Sequence, residues 1–301
     1  MTEKDKRGIT RVPVVDLSCP DEELVARTVV KASEDWGVFQ VVNHGIPTEL
    51  IQRLQKVGRE FFELPEAEKK VVAREAGSVE GYGRRIELDI KKRKGIVDQI
   101  YLSTWPPSSV NYRYWPKSPP DYREVNEEYA RHVKTLSEKI MEWLSEGLGL
   151  GREAIKEVNG CWYVMNINHY PPYPHSDSFN GLEPHTDING LTLIITNEIP
   201  GLQVFKDDHW IEVEYIPSAI IVNIGDQIMM LSNGKYKNVL HKTTVDKEKT
   251  RMSWPVPVSP TYDMVVGPLP ELTSEDDPPK FKPIAYKDYV HNKITFLKNK
   301  S

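Results

Sequence analysis

Cysteine is nearly absent from the 301 residues: Cys19 and Cys161 stand alone and far apart. That excludes a disulfide framework and a thiolate metal site, so a reducing compartment suffices. No stretch is long and apolar enough to read as a membrane-spanning helix. The N-terminal stretch, Met1 to Thr10, is charged and lacks the apolar centre of a secretory signal. Neither charge sign dominates, with 39 Lys and Arg against 44 Asp and Glu and a net charge of −5. Such a balance gives no support to a nucleic-acid partner or a membrane-surface role. The basic run Lys91-Lys92-Arg93-Lys94 reads as a solvated loop rather than a phosphate patch. Internal repeats and low-complexity blocks are lacking too. The expectation is a soluble cytoplasmic protein with chain enough for a real core, in which nothing demands more than a monomer.

Two kinds of hydrophobic period are present, and they divide the chain. In the first half, Val25, Val29, Ala32 and Trp36 recur at helical spacing behind the acidic start Asp21-Glu22-Glu23, and Gly37 ends the run. Ile51, Leu54, Val57 and Phe61 mark a second helix that stops near Pro65. Val125, Tyr129, Val133, Leu136, Ile140, Leu144 and Leu148 keep one face of a third, closed by Gly147 and Gly149. Short strands are expected at 12–15 and 38–42. Beyond Gly160, β-branched and apolar runs alternate with Pro, Gly, Asn and Asp at 162–167, 191–196, 202–205, 210–213, 219–224, 239–244 and 252–258. Ser232-Asn233-Gly234 reads as a tight turn between two of these strands. The pattern predicts an α+β fold with a mainly β core, helices from the N-terminal half flanking a sandwich or barrel. Residues 268–283 read as an extended surface excursion before a short C-terminal helix.

Two His-x-Asp triplets occur, His175-Ser176-Asp177 and His185-Thr186-Asp187. The first lies in a Pro- and Ser-rich loop. The second leads through Gly190 into the apolar strand 191–196, the rigid setting that metal ligands need. Residues i and i+2 on an extended segment face the same side, so His185 and Asp187 can share an ion. His241, just after the expected turn, is the natural third ligand. Two imidazoles and a carboxylate with open positions is the ligand set of non-haem Fe(II) oxygenases. Zinc is the rival, although the helical His-Glu-x-x-His of many zinc hydrolases is absent. Arg251 and Ser253 also share one face of a strand, inside an apolar run. A buried Arg beside a hydroxyl is a bidentate clamp for a carboxylate. Elsewhere, His44 and Asp226 read as turn residues, and His209, His291, Lys235 and Lys237 as exposed.

With these residues in view, the chain resembles the plant 2-oxoglutarate- and Fe(II)-dependent dioxygenases. His185-Thr186-Asp187, His241 and Arg251-Met252-Ser253 carry the resemblance, together with Val38-Phe39-Gln40-Val41-Val42-Asn43-His44-Gly45-Ile46 and Phe61-Phe62-Glu63-Leu64-Pro65. Trp105-Pro106-Pro107-Ser108, Trp115-Pro116-Lys117, Gly201-Leu202-Gln203-Val204-Phe205-Lys206-Asp207 and Gly267-Pro268-Leu269-Pro270-Glu271-Leu272 are similar to the flavonol synthases within that family. The resemblance implies a double-stranded β-helix, or jelly roll, at 160–259, an N-terminal family region at 12–115 and a C-terminal extension at 260–301. It implies Fe(II) on His185, Asp187 and His241. It places 2-oxoglutarate on Arg251 and Ser253, with Tyr170 of Asn168-His169-Tyr170 lending its hydroxyl. Ascorbate would keep the iron reduced. The implied reaction takes dioxygen and a flavonoid-like small molecule, desaturating dihydroflavonols with release of succinate and carbon dioxide.

Departures fall in the substrate pocket. Flavonol synthases carry a His and a Phe where this chain has Gln99 and Tyr101, a Lys at Asn166, and a Phe and a Glu at Pro257 and Ser259. They also carry a longer stretch before the strand at Val12. The altered pocket opens two further readings: the same chemistry on another small molecule, or an enzyme-derived binding protein with little turnover.

Overall fold

Alternation along two neighbouring strands builds the centre of the molecule. The computed structural model describes residues 11–88 and 93–298. Its N-terminal half runs β1 (Val14–Asp16), α1 (Glu22–Asp35), β2 (Val38–Val42), α2 (Thr48–Glu63), α3 (Glu66–Lys69), β3 (Gly81–Leu88), β4 (Lys94–Trp105), α4 (Tyr122–Gly147) and α5 (Ala154–Asn159). The second half holds β5 (Trp162–Tyr170), β6 (Asn180–His185), β7 (Leu191–Thr196), β8 (Leu202–Lys206), β9 (His209–Glu212) and β10 (Ile220–Ile224). After it come α6 (Asp226–Leu231), β11 (His241–Thr244), β12 (Arg251–Ser259), β13 (Val265–Val266), β14 (Ile284–Ala285) and α7 (Tyr286–Lys298).

An eight-stranded sheet, ordered β1-β2-β10-β7-β12-β5-β4-β3, faces a four-stranded sheet, β6-β11-β8-β9. On β12 the residues Met252, Trp254, Val256 and Val258 join the core shared with the helices, while Arg251, Ser253, Pro255, Pro257 and Ser259 line the space between the sheets. β5 divides the same way, with Tyr163, Met165 and Ile167 on the helical side and Trp162, Val164, Asn166, Asn168 and Tyr170 on the other. A period of two thus gives each strand an apolar back and a functional front. The long face of α4, from Val125 to Leu144, covers that back together with Val25 and Val29 of α1 and Leu54 and Val57 of α2. Close approach is needed at one point: a Cβ on Gly58 would stand 2.9 Å from Trp254 Cζ2. The layered jelly-roll core with flanking helices is the architecture expected from the sequence.

Three features differ from the sequence reading. The hairpin β3–β4 lies in the half read as helical, and its Gly, Arg and charged residues hide the strand alternation. With β1 and β2 it extends the large sheet. Secondly, Ser232-Asn233-Gly234 ends the helix α6 instead of joining two strands. Asn233 and Gly234 have φ of 52° and 80°, and the Gly234 amide donates to the Met229 carbonyl at 2.9 Å. A helix end and a tight hairpin both require left-handed residues, so Asn-Gly serves either. Thirdly, Asp226, read as fixing a turn near the core, opens that helix instead; it is buried, bonded to Asn238 Nδ2 at 2.7 Å and Tyr289 Oη at 2.8 Å. Gly37 ends α1 at φ 70°, as expected, and Cys19 and Cys161 are free thiols. Lys91 and Lys92 of the basic run lie outside the described residues.

Candidate active site

β6 ends at His185, and β11 begins with its direct antiparallel partner, His241. That register brings the two rings to 4.2 Å between centroids. Asp187 follows β6 and sets its Oδ1 3.7 Å from each Nε2. One ligand atom from each of the three residues falls within 4.8 Å of the other two. Each imidazole is oriented from behind: Nδ1 of His185 meets the Glu183 carbonyl at 2.8 Å, and Nδ1 of His241 the Val239 carbonyl at 3.1 Å. A carbonyl only accepts, so Nδ1 carries the proton and Nε2 keeps its lone pair for a metal. Burial, then the neighbouring His241, lowers His185 to about 4. The ring is therefore neutral, as a ligand must be. Burial raises Asp187, yet the opposing pull of its surroundings, hydrogen bonds from Thr192 and Asn223 among them, holds the carboxyl below its ordinary range. Two neutral nitrogens and one carboxylate fit a divalent iron site with open positions.

The second half of the site lies on β12 and β5. Arg251 is 2% exposed, and its Nε and Nη1 find no acceptor in the protein. Burial lowers its affinity for the proton, yet a guanidinium remains charged. Its carbon lies 5.4 Å from the centre of the Tyr170 ring, its cross-strand partner. Ser253 projects beside it and accepts from Asn168 Nδ2 at 3.3 Å. A buried guanidinium with unmatched N–H groups needs an anion, and a carboxylate answers with two oxygens.

Both halves line one cavity of about 410 Å³. Tyr101, Asn166, Pro257 and Ser259 line it as well. Gln99 stands on the same strand face as Tyr101 and beside Asn168, at the edge of these lining residues. It sits between β3 and β5 and spends its amide on Asn168 Oδ1 at 2.7 Å.

Aromatic residues that the sequence reading passed over complete the wall. Trp162 and Tyr262 meet edge to face at 5.0 Å, and Tyr262 stacks on Tyr286 at 6.1 Å. Trp162 was legible through its alternation with Asn166 and Asn168; the two tyrosines come from the C-terminal segment, which has no periodicity to place them. Tyr286 and Val290 bring α7 to the cavity. His175 and Asp177 lie outside it, exposed, with Asp177 paired to Lys247 at 3.0 Å. His44 is a turn residue satisfied by the Ser218 carbonyl at 2.7 Å, and His209 and His291 are exposed, as expected. No helix among the described residues is long and apolar enough to cross a membrane.

Comparison with known proteins agrees with this geometry. Residues 161–260 match the 2OG-Fe(II) oxygenase superfamily, and residues 12–122 match the family described as non-haem dioxygenase in morphine synthesis N-terminal. A flavonol synthase/flavanone 3-hydroxylase of Matthiola incana is 98% identical over 291 residues, covering 97% of this chain and all of that protein. One of the same name from Arabidopsis thaliana is 61% identical, covering 98% of this chain and 92% of its own length. Among solved structures, JOX2 in complex with 2OG, Fe and JA superposes with a TM-score of 0.86 at 37% identity, over 93% of this chain and 84% of that one.

Proposed function

The chain belongs to the flavonol synthase/flavanone 3-hydroxylase family of 2OG-Fe(II) oxygenases, and on that premise we propose that it desaturates dihydroflavonols to flavonols. The observation that carries the proposal is a shared cavity. Three convergent metal-ligand side chains, a buried guanidinium lacking an acceptor and an aromatic wall all open into it.

His185, Asp187 and His241 would hold Fe(II). Arg251 and Ser253 would take the far carboxylate of 2-oxoglutarate, with Tyr170 supporting the guanidinium from its ring face. Bound there, iron supplies with dioxygen and 2-oxoglutarate the oxidising power to remove a pair of hydrogens from the substrate, and succinate, carbon dioxide and water leave. The chain's own contribution is placement. Trp162, Tyr262 and Tyr286 offer ring faces and edges to a planar polyphenol. Asn166 Oδ1 is buried without a donor and suits a phenolic hydroxyl. Ascorbate as reductant, a monomeric state and a cytoplasmic location complete the proposal.

The substituted pocket does not favour another substrate class. Tyr101 keeps an aromatic ring in the wall, and the Gln99 amide is engaged by Asn168. A 98% identical relative bears the flavonol synthase name. An enzyme-derived binding protein is disfavoured by the complete donor set. The test is product identification. Purified protein with Fe(II), 2-oxoglutarate and ascorbate is given dihydroquercetin or dihydrokaempferol, and mass spectrometry follows the product. The matching flavonol supports the proposal. Steady succinate release with no flavonol from either compound refutes the substrate assignment.

A further inference from the structure

Gln99, Asn168 and Ser253 stand on three adjacent strands, β4, β5 and β12, in direct register: Gln99 opposite Asn168, and Asn168 opposite Ser253. Cross-strand partners on one face are the closest neighbours a sheet provides. Here they are joined by hydrogen bonds running in one direction. Gln99 Nε2 donates to Asn168 Oδ1 at 2.7 Å, and Asn168 Nδ2 donates to Ser253 Oγ at 3.3 Å. Asn168 is 4% exposed and Ser253 5%, so water does not freely replace either bond.

We propose that Gln99 is a positioning residue for the cosubstrate clamp, acting through Asn168 to set which way the Ser253 hydroxyl donates. The inference rests on the reading of Arg251 and Ser253 as the 2-oxoglutarate carboxylate site. A side-chain amide has a donor end and an acceptor end, while a hydroxyl has one proton and lone pairs. Because Gln99 donates to Asn168 Oδ1, the NH₂ end of Asn168 faces Ser253. Ser253 then receives a donor on a lone pair, and its own proton is released toward the cavity. A carboxylate accepts only, so this polarity matches the ligand. Were Asn168 turned over, Ser253 would donate to it and present lone pairs to the anion. Position 99 thus governs the cosubstrate, although resemblance assigns it to the flavonoid.

Gln99→Glu offers acceptors in place of a donor and turns Asn168 over. Gln99→Met removes the donor without charge, and Gln99→His keeps an N–H. The experiment is anaerobic calorimetry with Mn(II) in place of iron. It compares 2-oxoglutarate with 2-oxovalerate, which lacks the far carboxylate. Arg251→Ala serves as the control for the clamp itself. For Gln99→Glu the expected result is 2-oxoglutarate bound about tenfold more weakly, the size of one hydrogen bond to a charged group. Binding of 2-oxovalerate should not change. Gln99→Met should lose part of the affinity and Gln99→His little of it, and KM for dihydroquercetin should stay constant.

Sensitivity to Arg251→Ala with none to Gln99→Glu or Gln99→Met overturns the relay alone. A loss equal for both oxo acids overturns it too. Indifference of 2-oxoglutarate binding to Arg251→Ala overturns the clamp reading on which the relay depends.

Discussion

Lys293, on α7, donates its ammonium to the Thr186 carbonyl at 2.8 Å and to the hydroxyl of the same residue at 2.6 Å. Thr186 lies between His185 and Asp187, so the C-terminal helix holds the metal-ligand loop by its middle residue. The buried carboxylate of Asp226 pairs with the same ammonium, and the Asp226 amide donates to the Asp187 carbonyl at 2.9 Å. One cation thus ties α7 and the start of α6 to the loop between β6 and β7.

Removing that cation should be costly, since Asp226 would stay buried without its charge partner. We expect Lys293→Met to destabilise the fold by about 3 kcal/mol, in the range for breaking one side of a buried pair. Mn(II) affinity should fall as the loop loses its support. Urea melts and metal titration check both effects. Unchanged values in each would show that α7 merely lies against the site.

At Gly58 two effects oppose each other. Alanine is better than glycine in a helix by about 1 kcal/mol. Its Cβ, however, would press on the buried Trp254 ring, whose nearest atoms would lie 2.9 and 3.0 Å away. Overpacking of this kind costs about 1–3 kcal/mol, so Gly58→Ala should be net destabilising by roughly 1 kcal/mol. In a Trp254→Phe background the same substitution should turn neutral or stabilising. Equal effects in both backgrounds would deny the contact its role.

Acid should weaken the fold through His169. The ring stacks on Phe62 at 4.9 Å, and burial lowers its pKa to about 4 from an ordinary 6.5. As pH falls the unfolded chain takes the proton first. The stability tied to the neutral ring is therefore complete above about 6.5 and lost progressively down to about 4, up to about 3 kcal/mol in all. His185 acts in the same direction in metal-free protein. Replacing His169 by Phe removes one of these contributions, so urea stability of the variant should fall less between pH 7 and pH 5 than that of the parent. Parallel profiles would place the acid sensitivity elsewhere.

Substrate and cosubstrate affinities should separate by residue. Trp162→Ala deletes one ring of the aromatic wall, and a loss of about 1 kcal/mol or more should raise KM for the dihydroflavonol several-fold. KM for 2-oxoglutarate should hold. Steady-state kinetics with each compound varied in turn decides the point; a rise confined to 2-oxoglutarate would remove Trp162 from the substrate side.

Much of this site was legible because its chemistry is local in sequence. His185 and Asp187 are two residues apart, as are Arg251 and Ser253, and strand alternation alone puts each pair on one face. The iron-site partner His241 needed only the expectation of a neighbouring strand. For Gln99, resemblance transfers a position, while the direction of a side chain depends on its partner, here Asn168. Lys293, Tyr262 and Tyr286 went unseen because the C-terminal segment packs by tertiary contact, without a period or a motif. The hairpin β3–β4 was missed for a related reason, since Gly81, Gly83, Arg84 and Arg85 hide a strand whose pairing with β4, itself paired to β5, comes from the sheet it joins.

The central claim is tested most directly by counting flavonol and succinate together, in one reaction with dihydroquercetin, for the parent protein and for His241→Ala. The account predicts the two products in equal amounts, with both lost in the variant. Flavonol formation that survives the loss of His241, or that proceeds without matching succinate, would contradict it.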